Sequence, residues 1–521
     1  MLSLNGTKWG DLSFLPEDVN PLFHYLLDLG RPASRFELAG FVLEKKLQQI
    51  REQHEKQQAS LRLYKPKDHY KPGDRVQFPA LGGLQGDVIA VRRGHNPAYD
   101  DFDVFQVKFS SGKIREFAAG LTEHILNKND GITDIPSVLS VECILQDYQE
   151  LIIHEIEDVL KRNSDFIYHA GRWFLTPLLL NVNPGYLNLA EALLDMLGGG
   201  PLPTKSIIEQ IDIKSSDHPD LLEFSFDILL TRDTRFDDVG PAGEVQWFLH
   251  RMEPESVQKT PIYLSASVLP ESSLSLPVEM HNLEIDLNDE LSNIDDQMIK
   301  FGETAKVHLI YPHWRSGTLP LTPQVSNIFP SAYESLRVRF MLIDADDGKK
   351  FQGWVVRPGK YIDGIGKWYQ YKGLVPGSIF YISRGNTPGE VIVSAKSRKL
   401  SREWLCTVLM GNDNKPVFSM LKHPIRSEYD DLLTIIVPET ERIDKIWLQP
   451  NKRYLAFKKL VLDTAHDLSK LNPQGHVHAK QLYAAVNLFM RCPPKLVFNI
   501  LLSDDSFVHV GDLYFHPQGD D

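Results

Sequence analysis

The side chains best placed to do chemistry in this chain are cations. From Arg337 to Trp404 there are 13 Lys and Arg against 6 Asp and Glu, a net of +7; the whole chain carries −13, so the remainder carries −20. Cations gathered in one stretch suit phosphates, whose counterions they release, and an Arg fork can read guanine edges. Within this island the run Lys396-Ser-Arg398-Lys399-Leu-Ser-Arg402 concentrates charge further. Catalytic signatures are missing. The chain has no Gly-x-x-x-x-Gly-Lys-Ser/Thr loop, no Gly-x-Gly-x-x-Gly after a strand, no His-Glu-x-x-His and no Gly-x-Ser-x-Gly. Gly364-Ile-Gly366-Lys is too short to cradle a phosphate and reads as a turn. Asp344-Ala-Asp-Asp347-Gly348 starts like a calcium loop but lacks the closing Glu, and sits where a hairpin turn is expected. His476-Val-His478 places two imidazoles together with no third ligand in view. Glu390 and Lys396 are not spaced as the acid-x-Lys pair of a restriction-type nuclease. The expectation is a non-enzyme with no metal and no cofactor.

Composition bounds the class. A chain of 521 residues suggests about three or four domains. No apolar run approaches the ~18 residues needed to span a bilayer. The start Met1-Leu-Ser-Leu-Asn-Gly-Thr-Lys lacks the basic opening and apolar core of a signal peptide. Cys143, Cys406 and Cys492 are scattered and odd in number, which argues against a disulfide framework and for a reducing cytoplasm. No membrane partner is expected.

The elements that must position the cations are organised by a repeat. Phe226-Asp-Ile-Leu-Leu-Thr-Arg-Asp-Thr-Arg-Phe236-Asp-Asp-Val-Gly240 returns as Phe498-Asn-Ile-Leu-Leu-Ser-Asp-Asp-Ser-Phe507-Val-His-Val-Gly511, one residue shorter. A third, weaker copy runs from Asp165 through Gly171-Arg-Trp173-Phe174-Leu175. Upstream, Gly200–Ile207 aligns with Gly475–Leu482. Helical spacing of Leu187, Ala190, Leu194 and Leu197 ends at Gly198-Gly199-Gly200. Thr204 is placed to cap a short helix carrying Ile207, Ile208 and Ile211. Leu222, Phe226 and Leu229 or Leu230 stripe a third, and the run Val245–Leu249 follows as a strand. Three helices and a hairpin make a winged helix-turn-helix. The last copy reads as Leu455–Leu468, Ala479–Phe489, Pro494–Leu502 and a hairpin from Phe507 to Phe515. The first reads as Val19–Leu29, Ser34–Lys56 and Leu145–Arg162, interrupted by a β-rich insert, roughly Tyr64–Leu126.

The spacing and the Asp-x-x-Phe-x-x-Val-Gly wing resemble the HARE-HTH family, best known from the delta subunit of bacterial RNA polymerase. The insert, with Tyr70-Lys-Pro-Gly-Asp-Arg-Val-Gln-Phe-Pro, Asp103-Val-Phe-Gln-Val-Lys-Phe and Ile114-Arg-Glu-Phe, resembles small Tudor-, KOW- or CarD-type barrels. Such barrels bind RNA polymerase, nucleic acid or peptides. From His313 to Arg402, the Leu319-Pro-Leu-Thr strand, Phe329-Pro, the Asp-Gly-Lys hairpin, Lys367-Trp368 and Leu374-Val-Pro-Gly resemble the pseudobarrel DNA-binding domain of plant auxin-response factors. Relatives of that fold serve as recognition domains of bacterial restriction enzymes. The resemblance implies two arms entering the major groove. The Trp314-Arg315-Ser316 turn matches the first, with only one basic residue. Arg357-Pro-Gly-Lys360-Tyr361, up to Lys367, matches the second.

The resulting expectation is an α+β multidomain chain. Residues 1–63 with 128–182 make a split winged unit, 64–127 the inserted barrel, 183–255 a second winged unit and 256–312 a connector with one or two strands, the Ser-, Pro- and Asp-rich stretch Ser265–Asp296 carrying the alternating run Val278–Leu287. A basic pseudobarrel over 313–450 and a third winged unit over 451–521 complete it. Nucleic-acid contacts are expected at Arg315, Arg357, Lys360, Lys367, Trp368, Arg384, Lys396, Arg398, Lys399 and Lys495. The third helices of the first two winged units display acids instead: Glu150, Glu155, Glu157 and Asp158 in one, Glu223 and Asp227 with Ser225 in the other. Those helices suit protein partners better than phosphates. Double-stranded DNA and RNA polymerase or other transcription proteins are the expected partners. Docking on polymerase without DNA contact, and the recognition subunit of a restriction or defence system, stay open as alternatives.

Overall fold

The computed structural model describes residues 14, 18–59, 62–96, 101–110, 112–127, 141–213, 218–266, 275–294, 302–387, 389–412, 415–448 and 454–518. The N-terminal reading over Met1–Lys8, the Cys143 side chain, and residues 267–274 and 295–296 of the Ser-, Pro- and Asp-rich stretch Ser265–Asp296 fall outside them. The described residues form a mixed α/β chain with fifteen helices and six sheets. Two compact units divide it: residues 1–168 with 172–179, and residues 169–171 with 180–521.

In the first unit, helices Val19–Leu29, Arg35–Ala59 and Val141–Leu160 precede strands Phe166–His169 and Arg172–Leu175. Ser34 and Glu37 explain where the second helix starts. The Glu37 N–H donates to Ser34 Oγ (3.1 Å) and the Ser34 N–H to Glu37 Oε2 (2.7 Å), a capping box that satisfies two otherwise orphaned donors. Leu22, Leu26, Leu38, Leu43, Ile153, Ile156 and Trp173 close the core. A five-stranded sheet from Arg62 to Ala119 sits between the second and third helices in sequence. Its own core is aromatic, with Tyr70 stacked on Phe105 at 4.5 Å.

The same local topology occurs three times. In each copy a two-residue strand leads into the second helix and pairs antiparallel with the second strand of the hairpin. The pairs are Ala33–Ser34 with Arg172–Leu175, Leu202–Pro203 with Gln246–Leu249, and Val477–His478 with Tyr514–Pro517. The rings that face these short strands, Trp173, Trp247 and Phe515, are each 1% exposed. A large ring at that register pins helix to hairpin, which is why the three stretches align. Thr204 does not cap its helix. Its hydroxyl donates to Asp227 in the core, and Trp247 Nε1 donates to both (2.9 and 3.1 Å). Ser225 and Asp227 are therefore buried, not displayed, and Glu157 is buried beside Arg35. His478 also turns inward, its Nδ1 accepting the Lys480 N–H and capping the helix Ala479–Val486.

Between the second and third copies lies a seven-stranded, curled half-barrel sheet. Its order is Thr304–His308, Ile379–Arg384, Glu390–Ser394, Arg337–Asp344, Lys350–Val356, Tyr361–Asp363, Thr318–Pro320. Pairing is antiparallel except between Arg337–Asp344 and Glu390–Ser394. Gly317 and Gly366 let two backbones touch below it: a Cβ on Gly366 would stand 2.8 Å from the Gly317 Cα. Asp344 is a core acceptor and no calcium ligand, taking Trp368 Nε1 and Lys372 Nζ, both at 2.7 Å.

Three expectations change here. Val278–Leu287 is a helix, not strands, burying Met280, Leu283, Glu284 and Leu287. Trp314, Arg315 and Ser316 close the helix Tyr311–Ser316 and do not form a projecting turn. The stretch after 411 does not extend the half-barrel. Strands Ser397–Met410 and Pro416–Ser427 make a long ribbon, to which Ile435–Ile436 adds a short third strand. The ribbon's Cys406, Val408, Met410 and Phe418 share one core with Phe457, Val461 and Leu482 of the last repeat.

Candidate functional site

The structure disperses most of the basic island. Arg315 faces Asp444 with two contacts, Nη2–Oδ2 at 2.6 Å and Nε–Oδ1 at 3.1 Å, and lies over the Tyr263 ring. Its pKa moves up, chiefly through the Asp444 hydrogen bonds. Arg357 is half-buried and donates to the Pro330 carbonyl at 2.9 Å; burial lowers its pKa. Trp368 is 0% exposed with its indole N–H on Asp344, so it offers no ring face to a base. Arg384 is exposed and spans to the Asn327 carbonyl. Elsewhere in the island, Arg337 meets Asp237, Lys349 meets Asp347, Lys350 meets Glu390, and Lys372 meets Asp344 and Asp346. Arg315 and Lys367 do line one cavity of about 410 Å³ with Trp314, Gly317 and Gly366. Lys360 is exposed in a turn with φ 53, which Arg357 precedes by three residues. Lys495 is exposed on the first turn of the helix Pro494–Ser503, far along the chain from the island. The two arms expected from sequence therefore do not present themselves as basic projections: a carboxylate neutralises one, and burial immobilises half of the other.

What the fold does gather is the base of the ribbon. Side chains alternate between faces along a strand, and directly paired residues share a face. Arg402 pairs with Pro424, Trp404 with Lys422, and Cys406 with Met420. Arg402, Trp404, Lys422 and Arg426 therefore stand on one face, all exposed, with no carboxylate among them. Glu403 pairs with His423 and belongs to the other face. Trp404 is 61% exposed, and Lys422 Nζ sits 5.1 Å from its ring centroid. An exposed indole carrying a cation is a stacking platform that costs little side-chain entropy to order.

A bulge enlarges the patch. Between the pairs Ser397–Ser427 and Ser401–Ile425, three residues on one strand oppose Arg426 alone. Those three are Arg398, Lys399 and Leu400, all exposed. The Arg398 guanidinium lies over the Tyr429 ring at 5.5 Å. Lys396 borders them, donating to Tyr381 Oη (2.9 Å) and facing Glu428 at 3.5 Å; the Tyr381 bond raises its pKa. Among the described residues no carboxylate pairs with Arg398, Lys399, Arg402, Lys422 or Arg426.

Of the ten residues picked from sequence, the ribbon thus unites Lys396, Arg398 and Lys399. Sequence reading missed Lys422 and Arg426, because the basic window was closed at Trp404 and their strand returns twenty residues later. The signal was there in the matched alternation of Arg402-x-Trp404 with Lys422-x-Pro424-x-Arg426. No protein-family model, no curated protein and no solved structure matches the chain.

Proposed function

We propose that this protein is a non-enzymatic binder of double-stranded DNA that contacts phosphates through the basic face of the 397–427 ribbon. The supporting observation is the juxtaposition of Arg402, Trp404, Lys422 and Arg426 on one carboxylate-free face, with Arg398 and Lys399 bulging beside them. A two-stranded ribbon has the width that the major groove admits. The free cations give affinity through counterion release, and the indole offers a flat apolar contact. The thrice-repeated helix and hairpin topology suits winged-helix units. Their acidic third helices, with Glu150 and Asp158 exposed in the first, suit protein partners such as RNA polymerase or another transcription protein. The experiment is fluorescence anisotropy of the full chain with a labelled duplex at 50 mM salt. Arg402→Glu with Lys422→Glu should abolish binding, whereas Lys360→Glu with Lys367→Glu should leave it within a few-fold. The reverse ranking would return the interface to the half-barrel turns and refute the ribbon.

A second reading has its own support. Leu400 and Met420 are 52% and 42% exposed beside the same cations. Apolar side chains interleaved with positive charge also suit an acidic, partly apolar protein segment. Retention of a transcription partner from nuclease-treated lysate, lost with Trp404→Ala in a chain that ignores duplex DNA, would favour it.

A further inference from the structure

Away from the ribbon, the hairpin of the second repeat holds a group of side chains with metal-ligand chemistry. Asp237 lies on the strand Phe236–Asp238, opposite Phe248. The next strand ends at Leu249 and turns into the 3₁₀ segment His250–Met252, capped by Glu253. Side chains three residues apart eclipse in a 3₁₀ turn, so His250 and Glu253 point the same way. His250 Nδ1 lies 3.1 Å from Glu253 Oε2. One ligand atom from each of Asp237, His250 and Glu253 falls within 4.8 Å of the others.

We propose that Asp237, His250 and Glu253 form a binding site for one divalent cation of the zinc class.

A clustered pair of acids would not by itself make a site; the second observation is the state of Glu253. Its side chain is 0% exposed, and beyond the 3.1 Å contact with His250 and a 3.8 Å approach of Arg337 neither carboxylate oxygen accepts a hydrogen bond among the described residues. Buried carboxylates are otherwise satisfied by donors or by metal, because the desolvation is too costly to leave unmet. The neighbouring guanidinium of Arg337 does not resolve this. Its Nη1 donates to Asp237 Oδ2 at 2.7 Å, its Nε is taken by the Val257 carbonyl, and it stands 3.8 Å from Glu253. That geometry leaves Asp237 Oδ1 for a metal while the guanidinium holds Oδ2, as outer partners of metal-bound carboxylates commonly do. One imidazole nitrogen and two carboxylates suit zinc, with a fourth position left for water. They suit magnesium and calcium poorly, since these prefer all-oxygen sets. His250 is 40% exposed, which gives the ion a way in from solvent.

The test is titration of chelator-treated full chain with zinc chloride, read by calorimetry and by thermal unfolding, with cobalt(II) as a spectroscopic probe. The expected result is one zinc per chain, a raised Tm, and the intense visible bands of low-coordinate cobalt. His250→Ala should weaken zinc at least tenfold. Glu253→Gln, which keeps the shape of the buried side chain, should do the same while its metal-free melt shows that it folds. Absence of one-to-one binding would overturn the proposal. So would a preference for magnesium or calcium, or zinc binding that survives His250→Ala and disappears instead with His476→Ala, since His476 and His516 lie with ring centroids 5.7 Å apart elsewhere in the chain.

Discussion

If the ribbon face meets phosphates, the salt dependence of binding counts its cations. Arg398, Lys399, Arg402, Lys422 and Arg426 are exposed and have no carboxylate partner among the described residues. On duplex DNA each phosphate neutralised contributes about −0.9 to the slope of log K against log salt. Five contacts give a slope of about −4.5, so raising salt fourfold, from about 50 to about 200 mM, should weaken binding by roughly 500-fold. Replacing Arg402, Lys422 and Arg426 together by Gln leaves two cations and a slope of about −1.8, for a loss of only about 12-fold over the same range. The three substitutions are on exposed positions, where stability changes stay within about 0.5 kcal/mol, so the slope reports the interface and not the fold. Anisotropy of a labelled duplex across five salt concentrations measures both slopes. A wild-type slope shallower than about −1, or an unchanged slope in the triple variant, would show that these side chains do not meet phosphates.

Three further outcomes follow from burial and charge. Trp404→Ala should weaken duplex binding while leaving the Tm in place, whereas Trp368→Ala, which removes a 0% exposed ring and one of the donors to Asp344, should cost about 3–5 kcal/mol in thermal or denaturant unfolding. Arg491→Met strands Asp289 and Glu290 in the interior, at a cost of about 3–5 kcal/mol, read as lost hydrogen-exchange protection over 479–501; adding Asp289→Asn and Glu290→Gln should recover part of it. Burial, with Lys306 and Lys480 nearby, lowers His308 to about 4, although Asp286 and Asp430 oppose the shift. The unfolded chain then binds that proton more readily, so stability should fall as pH drops from about 6.5 to about 4, by at most about 3 kcal/mol. His308→Leu should flatten that part of a Tm–pH profile, and an unchanged profile would refute the assignment.

How much of this was legible depended on the range of the interactions. The repeats were readable because each is specified locally: a helix stripe, a short strand and a large ring at a fixed register, as in Trp173 and Trp247. Val278–Leu287 misled because Leu283, Ile285 and Leu287 alternate like a strand. The residues that bury themselves, 280, 283, 284 and 287, follow the helical period instead. Charge was readable in sign and not in pairing. Arg315 is neutralised from 129 residues away and Arg337 from 100, separations at which no local pattern operates. Trp368 looked like part of a basic surface because Lys367 precedes it, but neighbours on a helix point to different faces, and only the sheet above decides which is buried. His250 and Glu253 escaped notice because their shared geometry depends on a 3₁₀ turn, and the third ligand arrives from a paired strand.

The ion cluster around Arg491 governs how the molecule can be dissected. Arg491 is fully buried, held by Asp289, Glu290 and Asn487, and Tyr483 donates to Asp289. The acids arrive from just after the helix Val278–Leu287, while the guanidinium belongs to the last repeat. A clone starting at 451 would thus retain the guanidinium and discard both its counter-charges. One ending near 410 would retain the acids and lose the guanidinium, along with half of the ribbon. Truncations meant to isolate the ribbon's activity should begin before residue 278 and run past 515, and a shorter piece that fails to bind would be reporting a broken interior.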